Sequence, residues 1–135
     1  MMPGRHCVLP LLLAASAGAH ACGETLVGAR TTVENSGYTI VFTTAPSPVE
    51  VGKHFTVDFA VCPRTGATKP QAVRVDANMP EHRHGMNYRP TITAAGAGRF
   101  RAEGLMFHMP GAWEFAFDVV AADGTDRVRV PYELQ

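Results

Sequence analysis

The feature that most constrains the fold of this chain is an alternation of apolar and polar residues with a period of two. It is clearest in the stretch HFTVDFAV, where Phe55, Val57, Phe59 and Val61 fall on one face of an extended backbone. The pattern is typical of a β-strand that buries one face only. It recurs in four further stretches, at residues 38–42, 73–76, 113–119 and 127–130.

Turn-forming residues separate these predicted strands. The connecting stretches include APSP, CPRTGATKP, AAGAG and ADGT, which are rich in Gly, Pro and Asp. No stretch has a convincing helical pattern, and no internal repeat is visible. A length of 135 residues fits a single domain. We therefore predict an all-β fold, an antiparallel β-sandwich of the immunoglobulin-like kind.

The start of the chain predicts export. Arg5 is followed by an apolar run from Val8 to Ala15 and then by small residues, which is the pattern of a secretory signal peptide. The run is shorter than the roughly 20 apolar residues of a membrane-spanning helix. We expect residues 1–21 to be a signal peptide and residues 22–135 to be one periplasmic or secreted domain.

The cleavage point has alternatives. Small residues allow cleavage after Ala21, which we favour, or after Ala19. A lipid anchor at Cys22 is a third alternative, but the leucine that usually stands three positions before such a cysteine is missing. The sequence predicts no transmembrane segment.

The net charge bears on the class of partner, and the cysteines bear on disulfide formation after export. The chain has 12 basic and 12 acidic side chains. Arg5 is the one charged side chain in residues 1–21, so the predicted mature domain has 11 basic and 12 acidic side chains. This balance gives no reason to expect a nucleic-acid partner. After export, Cys22 and Cys62 would be the two remaining cysteines and could form a disulfide. That bond requires residues 25–33 to be irregular, because a regular strand there would put the two cysteines at opposite ends of the sandwich.

Methionine and histidine are confined to one part of the predicted mature domain. All four of its methionines and three of its four histidines lie between residues 79 and 109. Methionine ordinarily fills gaps throughout a core, so this confinement suggests a chemical reason. Thioether sulfur is soft and selects Cu(I), and imidazole binds copper in either oxidation state. Zinc sites favour Cys, His and carboxylate instead. The predicted copper ligands are Met79, His82, His84, Met86, His108 and Met109.

Antiparallel connectivity predicts that these residues meet. If each connection reverses the chain, a strand at 71–78 delivers residues 79–87 to one rim, and a strand at 99–108 returns to the same rim. In an extended backbone His82, His84 and Met86 point to one side, while Gly85 would let the loop bend around an ion. We therefore expect one copper site at this rim.

Two further residues near this rim have simpler interpretations. Met106 stands between Leu105 and Phe107 and is expected to be a core residue. His54 leads the strand at 53–62, which the same connectivity starts at this rim, but on a polar face, so we expect it to be solvated.

Three stretches of the chain resemble a known family. MPEHRHGMNYRP, GRFRAEGLMFHMPGAWEFAFDV and VGKHFTVDFAVC are similar to the YtkA-like domain proteins, and the resemblance covers about residues 38 to 132. These are small exported β-sandwiches, related in shape to FixH and to cupredoxin-like copper carriers. The resemblance implies copper handling or cytochrome oxidase assembly, and it points to the same six His and Met positions.

The leading hypothesis is an exported copper-binding protein that hands copper to a membrane or periplasmic acceptor or keeps it from doing damage. No Ser/His/Asp set and no paired carboxylates predict an enzyme, so no catalytic residue is expected. Two alternatives stay open. Cleavage after Ala19 would make His20 the N-terminus, whose amine and ring could hold copper and activate oxygen. An immunoglobulin-like interaction module would instead bind no metal and use its histidines structurally.

Overall fold

The structure, a computed structural model, describes residues 21–135, which form nine strands and no helix. The predicted signal peptide, apart from its last residue, and His20 lie outside the described residues. No helix in the described part of the chain is long and apolar enough to cross a membrane. The strands are β1 (Thr31–Glu34), β2 (Tyr38–Ala45), β3 (His54–Pro63), β4 (Ala72–Met79), β5 (His84–Gly85), β6 (Thr91–Ala94), β7 (Arg99–Met106), β8 (Gly111–Ala121) and β9 (Gly124–Leu134).

The strands form two sheets in which every pair of neighbours is antiparallel. Sheet A has the order β1-β2-β3-β7-β6, and sheet B has the order β5-β4-β8-β9. The prediction of an all-β sandwich is confirmed.

The core lies between the two sheets and is rich in aromatic side chains. Phe59 of sheet A and Phe117 of sheet B are both fully buried, with ring centroids 5.4 Å apart. Phe42 approaches Phe115 at 5.5 Å, edge to face. Each such buried ring contributes about 1.5 to 3 kcal/mol by leaving water. The predicted period-2 positions Phe55, Val57, Phe59 and Val61 are all buried.

The expectation that each strand buries one face only is wrong for β2 and β3. Val41 and Ala60 point away from the sandwich core, yet they are buried in a second small cluster with Leu26. The segment 21–30, which precedes β1, covers this face of sheet A. A disulfide between Cys22 and Cys62, with Cα atoms 6.0 Å apart, fastens the segment there. Residues 21–30 form turns and coil, so the irregular backbone expected at 25–33 is found over 25–30, whereas 31–33 belong to the short strand β1.

One rim of the sandwich collects the histidines. Met79, at the end of β4, pairs with His84 of β5, and His54, at the start of β3, pairs with Met106 at the end of β7. Residues 107–110 connect β7 to β8 at the same end. We call this end, formed by His54, residues 79–88 and residues 106–111, the histidine rim. The connectivity argument therefore placed both His/Met segments correctly.

Candidate metal centre

A tight hairpin between β4 and β5 presents two of the histidines. Residues 80–83 form its turn, with His82 N donating to Met79 O at 3.1 Å. Arg83 takes a left-handed backbone with φ 54°, which is uncommon for a residue other than glycine. The prediction of extended backbone from His82 onward is thus wrong at residues 82 and 83. The register Met79↔His84 requires the chain to reverse there.

Gly85 has a different function from the predicted one. It lies in β5 rather than in a loop that bends around an ion. A Cβ at Gly85 would stand 3.2 Å from the carbonyl oxygen of Ala77, which is tighter than most such contacts. Its missing side chain therefore permits the close pairing of β5 with β4.

Three imidazole rings lie in a row at the histidine rim. The ring centroids of His82 and His84 are 5.6 Å apart, and those of His84 and His108 are 5.1 Å apart. His82 comes from the turn, His84 from β5 and His108 from the β7–β8 connection. The two segments that connectivity predicted to meet are therefore in contact through their histidines.

Trp113 forms the floor below two of these rings. Its ring centroid lies 5.4 Å from that of His108 and 6.2 Å from that of His84. The Trp113 indole stacks on Phe107 at 4.3 Å, and its Nε1 donates a hydrogen bond to the carbonyl oxygen of Met109 at 3.0 Å. These contacts hold the connection that carries His108. From the sequence, Trp113 is expected only in the alternation of a strand, although its place two residues after HMPG is a usable signal.

His84 is the central ring and carries an unexplained polar atom. The residue is half-buried, and its Nδ1 is fully buried with no hydrogen-bond partner among residues 21–135. An unpaired buried polar atom costs about 1 to 3 kcal/mol, so it is rare unless something else binds it.

The methionines surround the histidines unevenly. Met79 is 1% exposed, and as the direct cross-strand partner of His84 it points to the same, inner face. Met86 and Met109 are half-buried and pack against the edge of the core. Gly111, with φ 121°, makes room for Met79, since a Cβ there would stand 3.0 Å from Met79 Cε. Met79 thus lies inside the rim, and Met86 and Met109 lie at its edge.

The spacing of the rings suits a shared ion. An imidazole nitrogen lies about 2.0 Å from a metal that it binds, so two rings on one ion have centroids about 5 to 6 Å apart. Both measured separations fall in this range. No group of three or more His, Cys, Asp or Glu side chains within residues 21–135 is already arranged to hold a metal ion. The geometry of the rings therefore fits pairwise sharing of an ion, by His82 with His84 or by His84 with His108.

His54 and Met106 do not join this row. His54 is exposed, and its ring centroid lies 5.1 Å from that of Tyr88. Met106 is half-buried but does not pack against the core cluster, so the expectation that it is a core residue is wrong. It follows Leu105, which is fully buried, and so it points to the outer face of sheet A.

The opposite end of the sandwich has different chemistry. A polar cavity of about 390 Å³ lies there beside Tyr38, Asp123 and Asp126. Burial, together with the negative charges of Asp123 and Asp126, raises the pKa of Tyr38, whose hydroxyl donates to the carbonyl oxygen of Thr68 at 2.7 Å. The residues lining this cavity include no histidine or methionine. All histidines and methionines of residues 21–135 therefore lie at the histidine rim.

Comparison with known proteins supports the fold. No protein-family model and no curated protein matches this chain. A solved structure of a DUF4426 family protein from Pseudomonas aeruginosa PAO1 is similar, with a TM-score of 0.53 over 78% of this chain and 94% of that chain. The two sequences are 8% identical, so the likeness shows the fold alone. The resemblance to YtkA-like proteins stays a prediction.

Proposed function

We propose that this protein is an exported copper carrier that holds copper at the histidine rim and delivers it to a membrane or periplasmic acceptor. The observation that carries the proposal is the row of His82, His84 and His108, with a buried, unpartnered Nδ1 on the central ring. A polar atom in that position is accounted for when a ligand binds it.

The donor types favour copper over other metals. Imidazole binds Cu(I) and Cu(II), while the thioether sulfurs of Met86 and Met109 at the edge of the rim favour Cu(I). A carboxylate-rich site for calcium or magnesium would need oxygen clusters, and the described residues form no such group.

The exposure of the ligands favours transfer over permanent storage. His82 and His108 are exposed, whereas His84 is half-buried. An ion shared by His84 and one of the exposed rings can be reached by a ligand from another protein while His84 still holds it. The alternative of an immunoglobulin-like interaction module leaves the buried Nδ1 of His84 without an explanation, so the metal hypothesis is preferred.

The test uses Trp113, the single tryptophan of the chain. Because Trp113 lies within about 6 Å of two of the rings, Cu(II) bound there quenches its fluorescence. We expect saturable quenching by Cu(II), with binding weakened at least tenfold, about 1.4 kcal/mol, in His84→Ala and in His108→Ala. Competition with a Cu(I) chelator under reducing conditions measures the other oxidation state.

His54→Ala is the matched control, since it removes a histidine from the same rim but not from the row of three rings. It should leave the Cu(II) quenching curve unchanged. Parental copper affinity in both His84→Ala and His108→Ala, with unchanged circular dichroism, would show that the row of histidines is not the site.

A further inference from the structure

We propose a second site for a soft monovalent cation, Cu(I), on the outer face of sheet A at the histidine rim, formed by His54 and Met106 beside Tyr88. It goes beyond the copper site of His82, His84 and His108, because it uses other ligands on another face.

The strand register places the two ligands side by side. His54 of β3 and Met106 of β7 are direct partners in an antiparallel pair. Directly opposed residues point to the same face, with Cβ atoms about 4.5 to 5.5 Å apart. The next pair along the ladder, Phe55 and Leu105, is buried in the core. His54 and Met106 therefore both point outward, and their nitrogen and sulfur can converge on one ion.

Met106 differs from its neighbours in a way that asks for an explanation. Of the three half-buried methionines within residues 21–135, Met86 and Met109 pack against the core cluster and Met106 does not. Its apolar side chain thus contributes little to the core from where it stands. The thioether sulfur of Met106 and the exposed imidazole of His54 together form a donor pair that suits Cu(I).

Tyr88 defines one wall of this second site. It is 41% exposed, and its ring meets that of His54 edge to face at 5.1 Å. Edge-to-face packing is a preferred arrangement of aromatic rings, so the contact favours this orientation of the imidazole. An orientation set in advance reduces the entropy lost on binding.

The second site is a neighbour of the first along the chain. Only Phe107, which is fully buried, separates Met106 from His108. Met106 is the last residue of β7, and the β7–β8 connection that carries His108 follows it without regular strand structure, so the two side chains can face different sides. Two protein ligands hold Cu(I) weakly and leave room for a third from a partner. We assign this site to the exchange of Cu(I) between the row of histidines and that partner.

The test follows methionine methyl groups by NMR while Ag(I), a redox-inert substitute for Cu(I), is added. The purified protein carries carbon-13 in its methionine methyls, and Met106→Leu assigns the Met106 signal while keeping the side-chain volume. We expect Ag(I) to shift the Met106 methyl, and His54→Ala to abolish that shift. In His84→Ala the Met106 shift should persist, while the shifts of Met86 and Met109 should weaken.

Two results would overturn the second site: a Met106 methyl that does not respond to saturating Ag(I), or a Met106 shift that persists in His54→Ala. The backbone amide spectrum shows whether each variant keeps the sandwich. Movement of Met106 alone, with Met86 and Met109 unaffected, would count against the first site and for the second. The two proposals can therefore fail separately.

Discussion

At the scale of single residues, the buried nitrogen of His84 is the feature that fold stability does not explain. Its Nδ1 is buried without a partner among the described residues, while the same ring touches His82, His108 and Trp113. A histidine kept for structure would be expected to hydrogen-bond through its buried nitrogen. The proposed ion would supply the partner that this nitrogen lacks.

The unpaired buried nitrogen predicts the effect of His84→Leu on stability. The change replaces an unpaired buried polar atom by an apolar side chain, so the free energy of unfolding should stay the same or rise by about 1 kcal/mol. Urea denaturation measures it, and the Cu(II) quenching of Trp113 should be lost in the same variant. His82→Leu is the control, since His82 is exposed and its loss relieves no burial. A large drop in stability in His84→Leu would indicate a structural histidine.

At the scale of elements, the β8–β9 hairpin is the support for the floor of the site. It starts at the rim with Gly111, two residues before Trp113, and is held on its solvent face by an ion pair between Asp118 and Arg127. Arg127 donates two hydrogen bonds to Asp118, at 2.6 and 2.8 Å. The Arg127 hydrogen bond lowers the pKa of Asp118 against the opposing effect of burial, with smaller help from Arg74 and Arg129.

The lowered pKa predicts the acid response of Asp118→Asn. A carboxyl whose pKa is lower in the folded state stabilises the protein above its ordinary pKa, and that contribution disappears as pH falls through the folded value. The variant should therefore be less stable by about 1 kcal/mol near neutral pH and no less stable in strong acid. Urea denaturation at both pH values measures this. Arg127→Ala added to the variant should cost little more, since the pair is already broken; a full additional loss would contradict the pairing.

At the scale of the whole molecule, the disulfide and the histidine rim lie at opposite ends of the sandwich. The disulfide of Cys22 joins Cys62 near the end of β3, whereas His54 begins the same strand. Seven residues of strand lie between His54 and Cys62, and eight steps of about 3.3 Å along a strand span roughly 26 Å. The disulfide thus fastens the segment 21–30 far from the histidine rim.

This separation predicts the effect of removing the disulfide with the double substitution Cys22→Ser and Cys62→Ser. The bond closes a loop with a sequence separation of 40 residues, so its loss should lower the free energy of unfolding by about 3 to 4 kcal/mol. Cu(II) binding by the folded fraction should be unchanged. Leu26→Ala is the control, because it removes only the packing of the segment on Val41 and Ala60. Loss of copper binding in a folded double variant would contradict the independence of the two ends.

The sequence by itself determined the sandwich and the meeting of two distant segments. Alternation with a period of two predicts which residues of a strand face inward. The reversal of the chain between antiparallel strands predicts which loops lie at the same rim. Both follow from local backbone geometry, so Phe55 to Val61 and the contact of His84 with His108 could be predicted.

Only the tertiary structure decided what each side chain at the rim meets. The turn at 80–83, the burial of Met79 and the outward position of Met106 all depend on strand register, and a slip of one residue would reverse every side chain. The cover of Leu26 over Val41 and the place of Trp113 below the histidines depend on packing between segments distant in sequence. Local periodicity carries no information on such contacts. It predicts which side chains of a strand face the core, but not which distant segment packs on either face.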